Sequence, residues 1–556
     1  MQKNEMVTVT IEDLSQNGEG IGKADGYTLF IKGAVIGDRV RAKIIKAKKT
    51  YGYARVEELL SPSASRVSPA CPIAEPCGGC QLQNMTYEAQ LAFKQKKVAD
   101  SFARLGHLAD VPMLPIKGME HPFRYRNKAQ VPVSRDRNGR LIAGFYAGRT
   151  HSVIPQEDCL LGAEENAQIV RMVLDHMERC HIPPYEEETG NGLLRHILIR
   201  KGFATGEWMV CLIINGDHFP KMEQLTKQLL TIPGMTDISL NINKERNNVI
   251  LGRTICQVYG PGYITDYIGN VAYRISPLSF YQVNPVQTEV LYGTALDYAG
   301  LTGQETVWDL YCGIGTISLF LAQKAKQVYG VEIVEAAIRD ARENAALNQL
   351  HNAEFFVGKA EEVLPQKYEG EQIQADVIVV DPPRKGCDKA VLDTMIQMAP
   401  KRIVYVSCDP ATLARDVRVL VDAGYRLEKV QPVDMFPNTV HVETVVMLSH
   451  KKPDSVINVK VEFGEGEGKV PLDNIAKRAE AYKPKERVTY KMIKEYIEAK
   501  YGFKVHTAYI AEVKRDLGLP MYDAPNAVEE LKQPRKHPTP EKVEAIKDAL
   551  KHFEVI

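Results

Sequence analysis

The sequence has little of several features that would define its class at once. It has 2 Trp and 10 Cys in 556 residues, and its 70 Lys and Arg are balanced by 70 Asp and Glu. Cysteines this sparse exclude a disulfide-stapled scaffold, and the zero net charge excludes a chain-wide polycation. The first residues have no apolar h-region, and the longest apolar runs, at 209–214 and 377–380, are strand-sized. We expect a cytoplasmic protein without a membrane span.

What is present predicts several domains, because roughly 150 residues per domain gives three or four. Residues 1–60 contain short alternating strands separated by Gly-rich turns, typical of a small OB-like β-barrel. Residues 61–284 mix helices and strands, as in an α+β domain. Over 285–450, Val- and Ile-rich strands alternate with helix-length segments. That alternation predicts a Rossmann-like α/β domain around a parallel sheet.

The remaining residues, 451–556, are rich in Lys and Glu and predict a small helical extension. Helices are expected near 489–501, 507–517 and 540–551, with Thr489 as a candidate N-cap. The first two are amphipathic, and a helix-turn-helix-like module that adds RNA affinity or protein contact is as well supported as a purely structural role. The basic residues around them are Lys483, Lys485, Arg487, Lys491, Lys494, Lys504, Lys514 and Arg515.

Two other stretches concentrate positive charge. Residues 39–55 hold seven Lys or Arg and no acidic residue, with Tyr51 and Tyr53 among them. Small barrels with basic, aromatic faces often carry single-stranded nucleic acid, although a solvated strand edge has the same composition. A second basic face is expected on a predicted strand. Its cations are Arg124, Arg126 and Lys128.

A glycine loop in the α/β region predicts a nucleoside site. Residues 309–316 follow a predicted strand and open a helix, so Gly313 and Gly315 let a ligand approach the backbone. Glu332 lies nineteen residues after Gly313, at the end of the next strand, where a carboxylate can hold ribose hydroxyls. NAD is disfavoured because Ser318 stands where its third glycine belongs. S-adenosylmethionine, which has no phosphate, suits this loop.

Two later strand ends complete the candidate site, because ligands of open α/β sheets bind at the carboxyl ends of the strands. One strand leads into residues 381–386 and the next into Ser407 and Cys408. A cysteine there is often a small buried apolar residue. Cys408, however, precedes a Pro-initiated helix whose dipole would favour a thiolate. It is therefore a candidate nucleophile.

Four other cysteines suggest a metal site. Cys71, Cys77 and Cys80 lie within ten residues, the last two on a Gly-Gly turn, and Cys159 follows at a distance. Four thiolates fit either zinc or an iron–sulfur cluster. Zinc sites more often use two paired C-x2-C knuckles, and this chain has one.

Five motifs carry a family resemblance. They are residues 279–284 (SFYQVN), 309–315 (DLYCGIG), 381–386 (DPPRKG), 406–415 (VSCDPATLAR) and 441–444 (HVET). The chain resembles the RNA uracil-5-methyltransferases of ribosomal and transfer RNA over about 1–450, including an N-terminal segment similar to a TRAM domain.

The resemblance implies roles for particular residues. Cys408 would be the nucleophile and Glu443 the general base. The S-adenosylmethionine contacts would be Gln282, Tyr311, Glu332 and Asp381, beside the loop glycines. The four clustered cysteines would hold a [4Fe–4S] cluster, with zinc as the lesser alternative. The substrate would be 23S rRNA, because the cluster-bearing branch acts there, with tRNA as the alternative.

The chemistry accounts for these residue types. Uracil C5 is too weak a nucleophile for a sulfonium methyl, but thiolate addition at C6 makes C5 electron-rich. A base must then remove the C5 proton, and the target uridine must be flipped out or unpaired. The alternatives are a cytosine-5-methyltransferase, a non-catalytic RNA-binding protein that retains the fold, and an iron–sulfur oxidoreductase with a nucleotide site.

Overall fold

The fold is taken from a computed structural model of the chain. The chain forms two compact units, Met1–Asp454 and Ser455–Ile556. The finer division at residues 60, 284 and 450 stays a prediction. The structure describes residues 1–148, 150–156, 158–450, 490–517 and 537–553.

The first strands close into a five-stranded barrel in the order β1-β2-β3-β5-β4, as the sequence predicts. Alternate residues point inward, so that Leu29, Ile31 and Val40 are buried in its core. At Gly22 an added Cβ would lie 2.3 Å from Val9 Cγ1, so the contact between β1 and β2 requires glycine. The strands are β1 Met6–Leu14, β2 Gly20–Ala24, β3 Tyr27–Lys32, β4 Arg39–Ala47 and β5 Tyr51–Ser61.

A second, seven-stranded sheet forms the centre in the order β12-β11-β10-β9-β6-β7-β8. Helices α2 and α3 cover one face through residues such as Ile169, Val173 and Leu225. The hairpin β13-β14 follows as a separate two-stranded sheet. The elements are α1 Tyr87–Arg104, β6 Lys128–Arg135, β7 Leu141–Tyr146, β8 Val153–Pro155, α2 Glu165–Arg179, β9 Leu194–Lys201, β10 Trp208–Ile214, α3 Met222–Leu229, β11 Met235–Ile242, β12 Thr254–Tyr259, β13 Ile264–Ile268 and β14 Val271–Ile275.

One expectation for this region is wrong. Arg124, Arg126 and Lys128 do not share a strand face, because β6 begins only at Lys128. Arg124 has φ +55°, in the left-handed region, which no strand residue adopts.

The third sheet carries the Rossmann-like fold predicted for this part of the chain, in the order β17-β16-β15-β18-β19-β21-β20. The first five strands are parallel, and β21 lies antiparallel between β19 and β20. Apolar clusters cover both faces, and α1 contributes Val98 and Phe102 to one of them. The elements are α4 Pro285–Ala299, β15 Thr306–Leu310, α5 Thr316–Ala322, β16 Gln327–Glu332, α6 Glu335–Leu347, β17 Ala353–Val357, α7 Ala360–Glu371, β18 Val377–Val380, α8 Lys389–Met398, β19 Arg402–Ser407, α9 Pro410–Asp422, β20 Tyr425–Val433 and β21 Glu443–His450.

The second unit contains the three predicted helices, α10 Tyr490–Tyr501, α11 Thr507–Asp516 and α12 Pro540–His552. They share an apolar core that includes Ile493 and Ile510. The helix-turn-helix interpretation stays a prediction. Across the described ranges, no helix is long and apolar enough to span a membrane. The candidate cap and three of the basic residues, Thr489, Lys483, Lys485 and Arg487, lie outside the described residues.

Candidate active site

The two candidate catalytic residues lie at neighbouring strand ends. β19 ends at Ser407, β21 begins at Glu443, and Ser407 pairs with Thr444 in the antiparallel ladder. Cys408 therefore follows the last residue of one strand while Glu443 opens the strand beside it. Asp409 fixes the next turn, because its carboxylate accepts the Ala411 N–H at 2.9 Å and caps α9.

Burial dominates the electrostatics of this pair. Glu443 is only 3% exposed, and its burial, followed by the nearby Asp381 carboxylate, raises its pKa to about 8. Burial also raises the pKa of Asp381 to about 7. The pKa of Cys408 rises to about 11 through burial and then through Glu443 and Asp381. The N-terminal dipole of α9, which favours a thiolate, therefore acts against burial and two carboxylates, and the Cys408 thiolate stays a prediction.

Arg384 opposes this effect. It is exposed, it follows Asp381 in the loop after β18, and its positive charge lowers the pKa of both Cys408 and Glu443. The sequence placed Arg384 within a motif but gave it no role. A base with a pKa near 8 ionises close to neutral pH, which suits proton transfer.

The glycine loop has the geometry expected of a ligand site. Tyr311, Gly313 and Gly315 all have positive φ, at +70°, +56° and +80°. A Cβ added to Gly313 would meet nothing within 4 Å, so this side of the loop is open. The Glu332 carboxylate accepts the N–H groups of Gly313 at 3.3 Å and Val334 at 3.0 Å. An acidic group therefore lies directly beside the open side.

The other glycine has a packing role. A Cβ on Gly315 would lie 3.2 Å from Ala341 and Phe355, so it allows close approach of the helix and sheet. Ser318, in the position of the missing third glycine, points inward and donates a hydrogen bond to the buried Asp309. Burial raises the pKa of Asp309 to about 7, although the Ser318 hydrogen bond opposes the shift.

Gln282 is buried in the loop before α4, and its main chain is held from the central sheet. The Asn127 amide donates to the Gln282 carbonyl at 2.9 Å. Asn284 caps α4 by accepting the Gln287 N–H and donates to the carbonyl of Met435 at 2.9 Å. This loop thus joins the central region to the connection between β20 and β21.

Comparison with known proteins identifies the arrangement. A family model described as tRNA (Uracil-5-)-methyltransferase matches residues 267–451, and a TRAM domain model matches 2–56. An uncharacterized RNA methyltransferase of Halalkalibacterium halodurans is 52% identical over 452 residues, which is 81% of this chain and 98% of that one. This chain belongs to the RNA uracil-5-methyltransferase family.

Further similarities agree. An uncharacterized RNA methyltransferase of Clostridium tetani is 47% identical over 81% of this chain and 97% of its own length. The solved structure of the Pyrococcus abyssi tRNA (uracil-54, C5)-methyltransferase with S-adenosyl-L-homocysteine has a TM-score of 0.64 and 26% identity, covering 80% of this chain and 100% of that one. The predicted enzyme class, an S-adenosylmethionine-dependent RNA methyltransferase, is confirmed, as is the N-terminal TRAM domain.

The four clustered cysteines of the methyltransferase come from separate segments that meet. Cys77 pairs with Ala147 in an isolated β-bridge, and the Gly79 N–H donates to the Cys77 sulfur at 3.4 Å. Arg124 binds both oxygens of Asp158 at 2.6 Å and donates to the Cys159 carbonyl at 3.1 Å. A turn and a loop from two parts of the chain are thereby held in place.

The thiols are close enough to interact electrostatically. Burial raises the pKa of Cys80 to about 12, and Cys159, Cys77 and Cys71 push it in the same direction. All ten cysteines of the methyltransferase are free. Within the described ranges, no group of three or more His, Cys, Asp or Glu side chains already has metal-binding spacing. The cysteines are thus neighbours in the fold, but their thiols would have to close in around an ion or cluster.

Proposed function

We propose that the methyltransferase forms 5-methyluridine in 23S rRNA, with Cys408 as nucleophile and Glu443 as general base. The observation that carries the mechanism is the antiparallel pairing of β19 with β21, which sets this thiol and this carboxylate side by side. Glu443 is buried and Cys408 is partly buried, so a uridine that reaches them must leave its base stack.

The residues of the chain then act in order. The Cys408 thiol loses its proton to solvent, the thiolate sulfur forms a bond to uracil C6, and the electron pair of the C5–C6 bond moves toward the carbonyl at C4. C5 becomes nucleophilic and takes up a methyl group, whose former bonding pair stays on the sulfur of the donor as a neutral thioether. Glu443 removes the remaining C5 proton, the C5–C6 double bond re-forms, and the C6–sulfur bond breaks to release the thiolate. The Arg384 charge favours the ionised forms of both residues.

S-adenosylmethionine would supply the electrophilic methyl group. The loop fits it, because Gly313 leaves open space next to the Glu332 carboxylate, which can accept ribose hydroxyls. Asp381 and Tyr311 lie at the same ends of neighbouring strands. The proposed contacts are Gln282, Tyr311, Gly313, Gly315, Glu332 and Asp381.

A trapping assay tests the mechanism. RNA carrying 5-fluorouridine should form a denaturation-resistant adduct with the wild type, because fluorine at C5 leaves no proton for the base to remove. Cys408→Ala should form none, whereas the control Cys256→Ala, on the edge strand β12, should still react. Absence of a wild-type adduct would refute the mechanism and leave a non-catalytic RNA-binding role. An adduct in Cys408→Ala would show that another residue is the nucleophile.

The same assay distinguishes the substrates. The four-cysteine set favours 23S rRNA through the resemblance of its spacing, whereas the Pyrococcus abyssi neighbour is a tRNA (uracil-54, C5)-methyltransferase. Fluorinated transcripts of 23S rRNA fragments and of tRNA should therefore be compared side by side. Exclusive reaction with tRNA would contradict the ribosomal assignment and leave the chemistry intact.

The barrel supports RNA as the partner. Phe30, Tyr51 and Tyr53 form an aromatic group on its outer surface, with ring centroids 5.6 to 5.9 Å apart. In the basic stretch 39–55, two of the seven cations form ion pairs, Arg41 with Glu58 and Arg55 with Glu57. Among the others, the exposed Lys46 lies opposite Tyr53 across β4 and β5, and a surface that stacks bases and follows a phosphate backbone requires cations beside aromatic rings.

For the cysteines we propose a [4Fe–4S] cluster held by Cys71, Cys77, Cys80 and Cys159, with zinc as the lesser alternative. The N–H donated to the Cys77 sulfur and the burial of the thiols fit a cluster whose iron would stabilise the thiolates. Methyl transfer needs no redox step, so the cluster would shape the RNA-binding surface. Free cysteines also fit a reducing cytoplasm.

Anaerobically purified protein should be brown, with an absorbance band from thiolate-to-iron charge transfer. Cys80→Ser should lose the band, and Cys256→Ser should keep it. A colourless wild type with stoichiometric zinc would contradict the cluster.

A further inference from the structure

Three cationic side chains lie together at the ends of two inner strands of the central sheet, where β6 begins and β9 ends. Lys128 on β6 pairs with Arg200 on β9, so their side chains project from the same face. Arg126 lies two residues before Lys128, and both it and Arg200 act electrostatically on that lysine. We refer to Arg126, Lys128 and Arg200 as the cationic cluster.

The cluster is not paired with any carboxylate of the described residues. Throughout the described ranges, none of its three members forms an ion pair with a carboxylate, whereas Arg124 just before it is paired with Asp158. Burial, then Arg200, then Arg126 lower the pKa of Lys128 to about 7. The Nε of Arg200 is buried and has no hydrogen-bond acceptor. Adjacent like charges that are partly desolvated cost folding free energy, which indicates a function that needs them.

The cluster is attached directly to the candidate active site. Asn127, between Arg126 and Lys128, donates its backbone N–H to the Val283 carbonyl at 2.9 Å and its amide to the Gln282 carbonyl. Arg200 donates to the main-chain carbonyl of Ser279. Arg200 therefore holds the loop, while Arg126 and Lys128, which are only partly buried, remain for a ligand.

We propose that Arg126 and Lys128 bind a backbone phosphodiester of the RNA close to the target uridine, with Arg200 as the positioning residue behind them. This inference rests on the proposed function, because it takes RNA as the substrate. The anion supplies the negative charge that the cluster lacks. A contact at this place would fix the RNA backbone against the loop that carries Gln282, so that the displaced base enters beside it.

The salt dependence of RNA binding tests the proposal. Log affinity falls as log salt concentration rises, and each lost phosphate contact makes this slope less steep by about one. We expect this loss in Lys128→Met and in Arg126→Met, together with a higher KM for RNA. The matched control is Lys201→Met on β9, because Lys201 is already paired with Glu165 at 3.0 Å. Its slope should equal that of the wild type. Unchanged slopes in both test variants would overturn the proposal.

Thermal unfolding without RNA separates binding from a structural role. Removing a repelling charge should leave the Tm of Lys128→Met equal to or above that of the wild type, whereas a structural lysine would lower it. The source of the phosphate is tested by adding inorganic phosphate. If it stabilises the wild type but not Lys128→Met, while the RNA salt slopes stay equal, the RNA assignment is overturned.

Failure of this proposal is distinguishable from failure of the proposed function. A wild type that forms the 5-fluorouridine adduct, with unchanged salt slopes in the variants, removes only the phosphodiester site. A wild type that forms no adduct removes the mechanism, whatever the slopes are.

Discussion

The candidate catalytic pocket and the cationic cluster are electrostatic opposites. The pocket gathers Glu443, Asp381 and Cys408, whose pKa values are all raised by burial; Asp381 raises that of Glu443 further, and both carboxylates raise that of Cys408. In the cluster, burial and then the charges of Arg200 and Arg126 lower the pKa of Lys128. In both regions, groups of the same charge type lie close together and partly buried, and among the described residues none of them forms an ion pair with a group of opposite charge. Arg384 gives the pocket partial relief, and the cluster has no equivalent.

The difference indicates what each region is suited to do. Glu443, with a pKa of about 8, exchanges between its protonated and ionised forms close to neutral pH, which suits a residue that takes up and releases a proton. A cluster of unpaired cations needs no reaction step for its role, because it can bind an anion of the substrate directly. The pocket is therefore suited to the reaction, and the cluster to binding the RNA.

The largest expected effect comes from removing the base from the pocket. Glu443→Gln keeps the size of the side chain but cannot take the C5 proton, so kcat should fall by about 10²- to 10⁴-fold. Ordinary uridine RNA with S-adenosylmethionine should then accumulate as a methylated covalent adduct, visible as a shifted band under denaturing conditions.

Glu354→Gln, on the exposed edge strand β17, is the matched control and should turn over normally without an adduct. A Glu443→Gln variant with full turnover would show that another group removes the proton.

A smaller effect concerns stability, for which the two regions should give pH dependences of opposite sign. The folded pKa of Glu443 is about 8 against an ordinary 4.5, so its contribution is complete below pH 4.5 and lost as pH rises through 8. The folded pKa of Lys128 is about 7 against an ordinary 10.5, so its contribution is complete above pH 10.5 and lost as pH falls through 7.

Relative to the wild type, Glu443→Gln should therefore gain Tm with rising pH, and Lys128→Met should gain Tm with falling pH. The expected size is about 2 to 4 °C for each kcal/mol. Unfolding scans of the three proteins between pH 5 and pH 9 measure this, and difference curves of the same slope would contradict the contrast.

Site residues that follow parallel strands could be predicted from the sequence, because parallel strands bring their carboxyl ends to one edge of the sheet. The glycine loop, Glu332, Asp381 and Cys408 follow from that rule. Glu443 needed the family resemblance, since no local pattern announces that β21 inserts antiparallel beside β19. The role of Arg200 could not be predicted from the sequence, because Lys128 is far away in the chain and only the register of the sheet brings the two together.

The error at Arg124 has a local physical cause. Arg124 adopts a left-handed backbone conformation that alternation of side chains cannot reveal, and it binds Asp158 instead of lining a basic strand. The thiolate predicted for Cys408 rests on a helix dipole alone. Burial and then the carboxylate of Glu443 raise the pKa of Cys408 against that dipole, and neither follows from neighbouring residues in the chain.

The ladder between β19 and β21 also determines where this enzyme can tolerate changes in length. The chain between Asp409 and Val442 can gain or lose residues in its exposed connections without altering the pairing of Ser407 with Thr444. A single residue inserted within β21, by contrast, would turn Glu443 to the opposite face of the sheet. We therefore expect natural and engineered changes in length to be tolerated in the exposed connections between Asp409 and Val442 and not within β21.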